Sequence, residues 1–125
     1  MLSNAHICAD IATGDLERAR AFYEGVLGLV AEHSDNARGV YYRASGGTML
    51  NLYVRDAQPV EQTAATFLVA DIDAMAGLRA RGVVFKAYDE TGLRTHDGVF
   101  EDDTGFKASW FNDPDGNILG PEQLP

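Results

Sequence analysis

Apolar and polar positions along the chain fall into two kinds of run, and the runs repeat in the same order. A strand-like stretch, His6–Ala12, precedes Asp15, an N-cap residue with acid in the turn that follows. Leu16, Ala19, Tyr23, Val26 and Leu27 then recur at helical spacing until Gly28 ends the run. A second strand-like stretch, Ala64–Val69, precedes Asp71; Ile72, Met75 and Leu78 form the next helical stripe, and Gly82 stops it. Strand candidates follow each helix: Leu29–His33, Gly39–Ala44 and Thr48–Val54 after the first, then Val83–Tyr88, Phe106–Phe111 and Asn117–Glu122 after the second. The order β-α-β-β-β, written twice, predicts an α+β fold.

Spacing supports a duplication. The two capping residues, Asp15 and Asp71, lie 56 residues apart. Tyr41-Tyr42 precede Gly47 as Trp110-Phe111 precede Gly116, but the two glycines lie 69 apart, so the second copy carries 13 extra residues. They fall in the polar, Gly-containing segment 89–104, which reads as a long loop, and a loop of that length in a compact domain is usually functional or mobile. Asp113-Pro114-Asp115-Gly116-Asn117 reads as a tight hairpin turn: the proline presets φ and the glycine takes a positive one. Module 1 then covers about 5–56 and module 2 about 62–122, within a single domain spanning 1–125.

Composition narrows the partners. At 125 residues, 46% apolar and 23% charged, the chain has the makeup of one small folded domain and not of a disordered segment. Ten basic residues against 19 acidic ones give a net charge of −9, which argues against a nucleic-acid backbone as partner. The lone Cys8 excludes an internal disulfide and a cysteine-cluster metal site. No apolar run approaches the ~20 residues that span a bilayer, so no membrane partner is expected. Met1–Asp10 has no basic residue ahead of its short apolar stretch and does not read as a signal peptide. The expectation is a cytoplasmic protein.

Taken together, Asp15-Leu16-Glu17-Arg18-Ala19 with Phe22-Tyr23 and Leu27-Gly28-Leu29, then Phe67-Leu68-Val69-Ala70-Asp71-Ile72-Asp73, and finally Trp110-Phe111-Asn112-Asp113-Pro114-Asp115-Gly116-Asn117-Ile118-Leu119, resemble the vicinal oxygen chelate superfamily. This superfamily contains glyoxalases, extradiol dioxygenases and bleomycin-resistance proteins. The resemblance runs from about Ala5 to Leu119; it implies two βαβββ modules in a pseudo-twofold arrangement, whose curled mixed sheets enclose a cleft, and a homodimer. Metal-dependent members carry four ligands, one on each module's first and last strand. Carried onto this chain, those positions are Cys8, Asn51, Ala64 and Gly120. Ala64 and Gly120 have no donor side chain and Asn51 is a weak neutral one, whereas a catalytic divalent ion needs at least three protein ligands. The expectation is therefore no metal and no cofactor. A displaced set of His6, Asp10 and Glu122 is the remaining route to an ion, although a two-residue step moves a ligand ~6.6 Å along a strand.

Strand alternation then supplies candidate ligand-binding residues. With Cys8 facing the cleft, His6, Asp10 and Ala12 share its face, as do Met49, Asn51 and Tyr53 on the last strand of module 1. In module 2 the same face carries Ala64, Thr66 and Leu68, then Ile118, Gly120 and Glu122. Parity assigns Tyr41 and Trp110 to the cleft, where aromatic walls with a few polar groups suit an amphipathic or aromatic ligand. Asp10 is a candidate general base, or else it pairs with a nearby arginine or sits at a wet mouth of the cleft. Cys8 reads as a buried, inert thiol because no cation or helix N-terminus stands beside it. His33 reads as solvent-exposed, and His96 as a surface residue of the long loop. Glu101-Asp102-Asp103 reads as a solvated run that favours a cationic ligand if it borders the cleft.

Two functions remain open at this point. The first is a metal-independent small-molecule-binding protein of the glyoxalase/bleomycin-resistance type. The second is a glyoxalase-like lyase, isomerase or dioxygenase that uses a displaced metal site or Asp10 as general base.

Overall fold

The computed structural model describes residues 1–35, 37–56 and 61–125. Contacts divide the chain into two units, Met1–Pro59 and Val60–Pro125, each with its own sheet and helix. Among the described residues, no helix is long and apolar enough to cross a membrane.

In unit 1, β1 (Cys8–Thr13) leads into helix α1 (Leu16–Arg20), which widens into π turns over Ala21–Val26. Asp15 caps α1 as its sequence implies: its carboxylate accepts the Arg18 N–H at 3.1 Å. β2 (Val30–Asp35), β3 (Gly39–Arg43) and β4 (Met49–Val54) complete a sheet of order β1-β4-β3-β2. β1 and β4 are parallel, whereas the β4–β3 and β3–β2 pairs are antiparallel. Alternation sorts the side chains between two faces. Ile11 and Thr13 of β1, Val40 and Tyr42 of β3, and Leu50 and Leu52 of β4 are buried, together with Ala19 and Tyr23 of the helical segment. The Tyr23 and Tyr42 rings stack at 6.1 Å between centroids.

A hydrogen-bonded polar group reaches this core from the helical segment. The Tyr42 hydroxyl donates to Glu24 Oε2 at 3.0 Å, and Arg20 holds the same carboxylate with two hydrogen bonds at 2.6 and 3.1 Å. The Arg20 hydrogen bonds hold the Glu24 carboxyl below its ordinary range. Burial, reinforced by that carboxylate, pushes the Tyr42 phenol well above its own.

Unit 2 repeats the plan with additions. β5 (Thr63–Leu68) precedes a 3-10 helix, Ile72–Arg81, capped by the Asp71 carboxylate on the Asp73 N–H and ended by Gly82 at φ 99°. β11 (Ile118–Gln123) pairs parallel with β5, as β4 does with β1. The segment 89–104, expected as a loop, instead contains β6 (Asp89–Glu90), β7 (Leu93–His96) and β8 (Val99–Glu101). Asp97 and Gly98 turn β7 into β8 with φ of 51° and 79°, so a two-residue Asp-Gly hairpin extends the sheet where length and polarity had implied a loop.

β8 pairs with β9 (Lys107–Ala108), and β9 with β11, which also pairs with β10 (Phe111–Asn112). The inserted β8 thus takes the place beside β9 that β2 takes beside β3. The stretch expected as a strand over Val83–Tyr88 instead makes a bridge from Phe85 to Phe111, a hydrogen bond from the Lys86 N–H to the Trp110 carbonyl at 2.7 Å, and one from the Thr95 N–H to the Tyr88 carbonyl at 2.9 Å.

The Tyr42 arrangement gives unit 1 a pH signature. The folded chain holds the phenolic proton more tightly than the unfolded chain, so this contribution is complete below about pH 10 and is lost as pH rises through the folded value. The lowered Glu24 contributes in the opposite window: its share is complete above the ordinary glutamate range and drains away as pH falls through the folded value. Tyr42→Phe is expected to lower stability at neutral pH by about 1 kcal/mol and to flatten the loss above pH 10, as measured by urea unfolding. An unchanged alkaline slope would contradict this assignment.

Candidate functional site

The helix covers one face of the unit 1 sheet and leaves the other to polar and aromatic residues. β1 presents Cys8 and Asp10 there; β4 presents Met49, Asn51 and Tyr53; β3 presents Tyr41. Asp10 stands directly across from Asn51, and the Asn51 amide donates to Asp10 Oδ1 at 3.1 Å. Asp10 is exposed and is held by this amide, not by an arginine. Cys8 lies opposite Met49 and is half-buried. Burial and the neighbouring Asp10 carboxylate push its thiol above the ordinary range, the opposite of what a nucleophilic cysteine needs.

Tyr41 is 41% exposed opposite Asn51, while Tyr42 is in the core. Adjacent in sequence, the two tyrosines thus go to opposite faces of the strand. His33, exposed as expected, adds its ring to the same face 6.5 Å from that of Tyr41. His6 differs from expectation. It precedes β1 and stands over Gly47, where an added Cβ would lie 2.6 Å from its imidazole, so no strand alternation orients it.

In unit 2 the corresponding strands are less regular. A register shift pairs Thr63 with Ile118 and Ala65 with Leu119, leaving Ala64 as the extra residue of a bulge. Ile118, expected on the open face, is buried beside Leu119 because the bulge breaks the alternation on which that expectation rested. Beyond the bulge, Gly120 faces Thr66 and Glu122 faces Leu68; Thr66 is exposed, Leu68 is 67% exposed and Glu122 is half-buried.

Trp110 is half-buried and meets Tyr88 edge-on at 5.5 Å and Phe100 at 6.3 Å, with Phe106 6.5 Å from Phe100. Tyr88, Phe100 and Phe106, which the sequence does not single out, gather with Trp110 into one aromatic cluster. The signal lay in the insertion: Asp97-Gly98 between Thr95-His96 and Val99-Phe100 reads as a hairpin once the two-residue turn is recognised.

The four inherited ligand positions do not fit a divalent ion. Ala64 and Gly120 offer no donor. At Gly120 there is not even space for one: an added Cβ would lie 1.8 Å from the Ser109 carbonyl oxygen. The approach is fixed by the sheet, since the Ser109 N–H donates to the Pro121 carbonyl at 3.1 Å and Ala108 pairs with Glu122. Among the described residues, no three of His, Cys, Asp and Glu are grouped to hold a metal.

The paired βαβββ units and their sequence place the chain. A sequence profile of the glyoxalase/bleomycin resistance protein/dioxygenase superfamily matches residues 5–120, and the chain belongs to that superfamily. It is similar in structure to a superfamily member from Sphaerobacter thermophilus, at 26% identity and a TM-score of 0.72 over 99% of this chain and 100% of that one. The glyoxalase/bleomycin resistance protein of Catenulispora acidiphila is 24% identical, with a TM-score of 0.71 over 96% and 98% of the two chains. The lactoylglutathione lyase of Agrobacterium tumefaciens shares the fold at 20% identity and a TM-score of 0.70, over 96% and 93%. Among curated protein sequences, none matches the chain significantly.

The contact at Gly120 is directly testable. Gly120→Ala is expected to destabilise the protein by about 1–3 kcal/mol or more, because the methyl group meets backbone and not the end of a flexible side chain. Denaturant unfolding measures it, and a variant as stable as the parent would show that β9 and β11 separate easily.

Proposed function

We propose that the protein binds a small amphipathic or aromatic molecule without a metal ion, using the open face of the unit 1 sheet. The observation that carries this reading is the Asp10–Asn51 hydrogen bond. Asn51 occupies a position that carries a metal ligand in metal-dependent members, and here its amide is turned to a neighbouring carboxylate. Asp10 Oδ2 and the Asn51 carbonyl remain to orient a ligand, while Cys8, Met49, Tyr41 and Tyr53 supply apolar and aromatic area around them. On the unit 2 face, Thr66, Leu68, Trp110 and Glu122 belong to the same reading. The half-buried thiol with its raised pKa supports binding over covalent chemistry. A homodimer in the cytoplasm, with neither nucleic acid nor membrane as partner, completes the proposal.

The test is metal analysis of the purified protein, joined to a thermal-shift screen of divalent metals, aromatic antibiotics and thiol conjugates. The expected outcome is no stoichiometric metal, together with stabilisation by an aromatic or amphipathic compound that weakens about tenfold in Asp10→Ala, the equivalent of ~1.4 kcal/mol. One equivalent of tightly held divalent ion overturns metal independence. Full affinity with lost turnover in Asp10→Asn replaces the binding protein with an enzyme that uses Asp10 as general base.

A further inference from the structure

Unit 2 contains a cavity of about 440 Å³ that none of the residues proposed above for the open sheet faces lines. Its position follows from register. Glu101 pairs with Lys107 and Phe100 with Ala108, so Glu101 and Lys107 project from one face of the sheet and Phe100 from the other. Glu101, Lys107 and Ser109 border the cavity together with Ile72, Ala76 and Arg79 of the 3-10 helix. The cavity therefore lies on the helix-covered side, opposite the Trp110–Phe100 cluster.

Its lining is mixed: Ile72, Phe85 and Val99 contribute carbon surface, while Ser109, His96 and the charged side chains contribute polar groups. Ile72 and Ser109 are 2% and 3% exposed, and Phe85 and Val99 add half-buried carbon surface. One wall is locked in place by the β7–β8 hairpin. The Arg79 guanidinium lies 5.0 Å from the Phe85 ring centroid and donates to the Asp97 carbonyl. Gly98 seats against both: an added Cβ would come within 2.9 Å of Arg79 and within 2.9 Å of Phe85. Arg79 is thus committed to the wall. At the mouth, the Lys107 ammonium has Asp73 4.0 Å away and Glu101 as its cross-strand partner. Two carboxylates around one ammonium leave the mouth with a net negative charge, on a chain whose formal charge is −9.

We propose that this cavity is a second binding site, for a small organic cation: an ammonium group on a flat or branched apolar body. The body fills the space over Ile72, Phe85 and Val99, and the ammonium meets Glu101 and Asp73 at the mouth. The volume falls within the ~300–1,000 Å³ typical of small-molecule pockets. An anion has no equivalent place, because Lys107 is already compensated, Arg79 is stacked and the field of the whole chain repels it. Of the acidic run Glu101-Asp102-Asp103, only Glu101 borders the cavity.

The probes are 2-phenylethylamine, 2-phenylethanol and phenylacetate, which share a body and differ in end-group charge. Binding to the full chain is followed by backbone amide NMR at low ionic strength. The amine is expected to bind at least tenfold more tightly than the alcohol, with phenylacetate weaker still, and to shift the amides of Val99, Glu101 and Lys107. Glu101→Gln is expected to weaken the amine about fivefold and leave the alcohol unchanged. Ala76→Trp, which fills the mouth, is expected to abolish the shifts at Val99, Glu101 and Lys107 with all three probes. Equal binding of phenylacetate, shifts confined to Cys8–Ala12 and Met49–Tyr53, or an amine affinity unmoved by both Glu101→Gln and Ala76→Trp would each overturn the proposal.

Discussion

Each unit depends on one pairing, the parallel alignment of its first strand with its last. Parallel neighbours cannot be joined by a tight turn, so the chain must cross over one face of the sheet to return, and the helix lies in that crossover. The buried apolar side chains gather under it: in unit 1, Ile11, Leu50, Leu52 and Tyr42 beneath Ala19 and Tyr23. The other face is released from core packing, and that release is what lets a carboxylate, an amide and a thiol stand side by side on adjacent strands. A polar site in the middle of a sheet is a by-product of where the crossover goes.

The two units have used that freedom differently. In unit 1 the uncovered face keeps its polar pair, with the Tyr42–Glu24–Arg20 group tying the sheet to the helical segment behind it. In unit 2 the face beyond the bulge is occupied by interlocking aromatic rings, two of which, Phe100 and Phe106, come from the inserted stretch and its border. The insertion therefore changes both sides of its sheet at once. Through Phe100 it fills one, and through Val99, Glu101 and the hairpin tip it walls a cavity on the other. Strict alternation makes such double effects unavoidable, since every second residue of a new strand must go to the opposite side.

How much of this was legible in the chain depends on the range of the interaction involved. Local signals read well: Asp15 and Asp71 cap, Gly82 takes the left-handed turn, and period-two alternation separated Tyr41 from Tyr42. Features set by pairing between distant strands did not. The bulge at Ala64 that buries Ile118 has no residue signature, because its cause is the register of β5 against β11. The short strands β6–β8 carried a readable Asp-Gly turn, but their low apolar content hid it inside a polar stretch. The site was legible in part: the facing of Asp10 and Asn51 follows from alternation, whereas their hydrogen bond requires the parallel register, and the helix-side cavity requires the insertion to be folded.

Gly120 carries the longest consequence. Position 120 does not gain a side chain by a single change, because the neighbouring backbone occupies the room that side chain would need. The steps have an order. The Ser109 backbone must first withdraw, and only then is a carboxylate at position 120 sterically admissible; attempted the other way round, the intermediate is a strained sheet. A position that neighbouring backbone has closed over behaves as a ratchet. For this chain, any side chain at position 120 is blocked by packing before its chemistry comes into play.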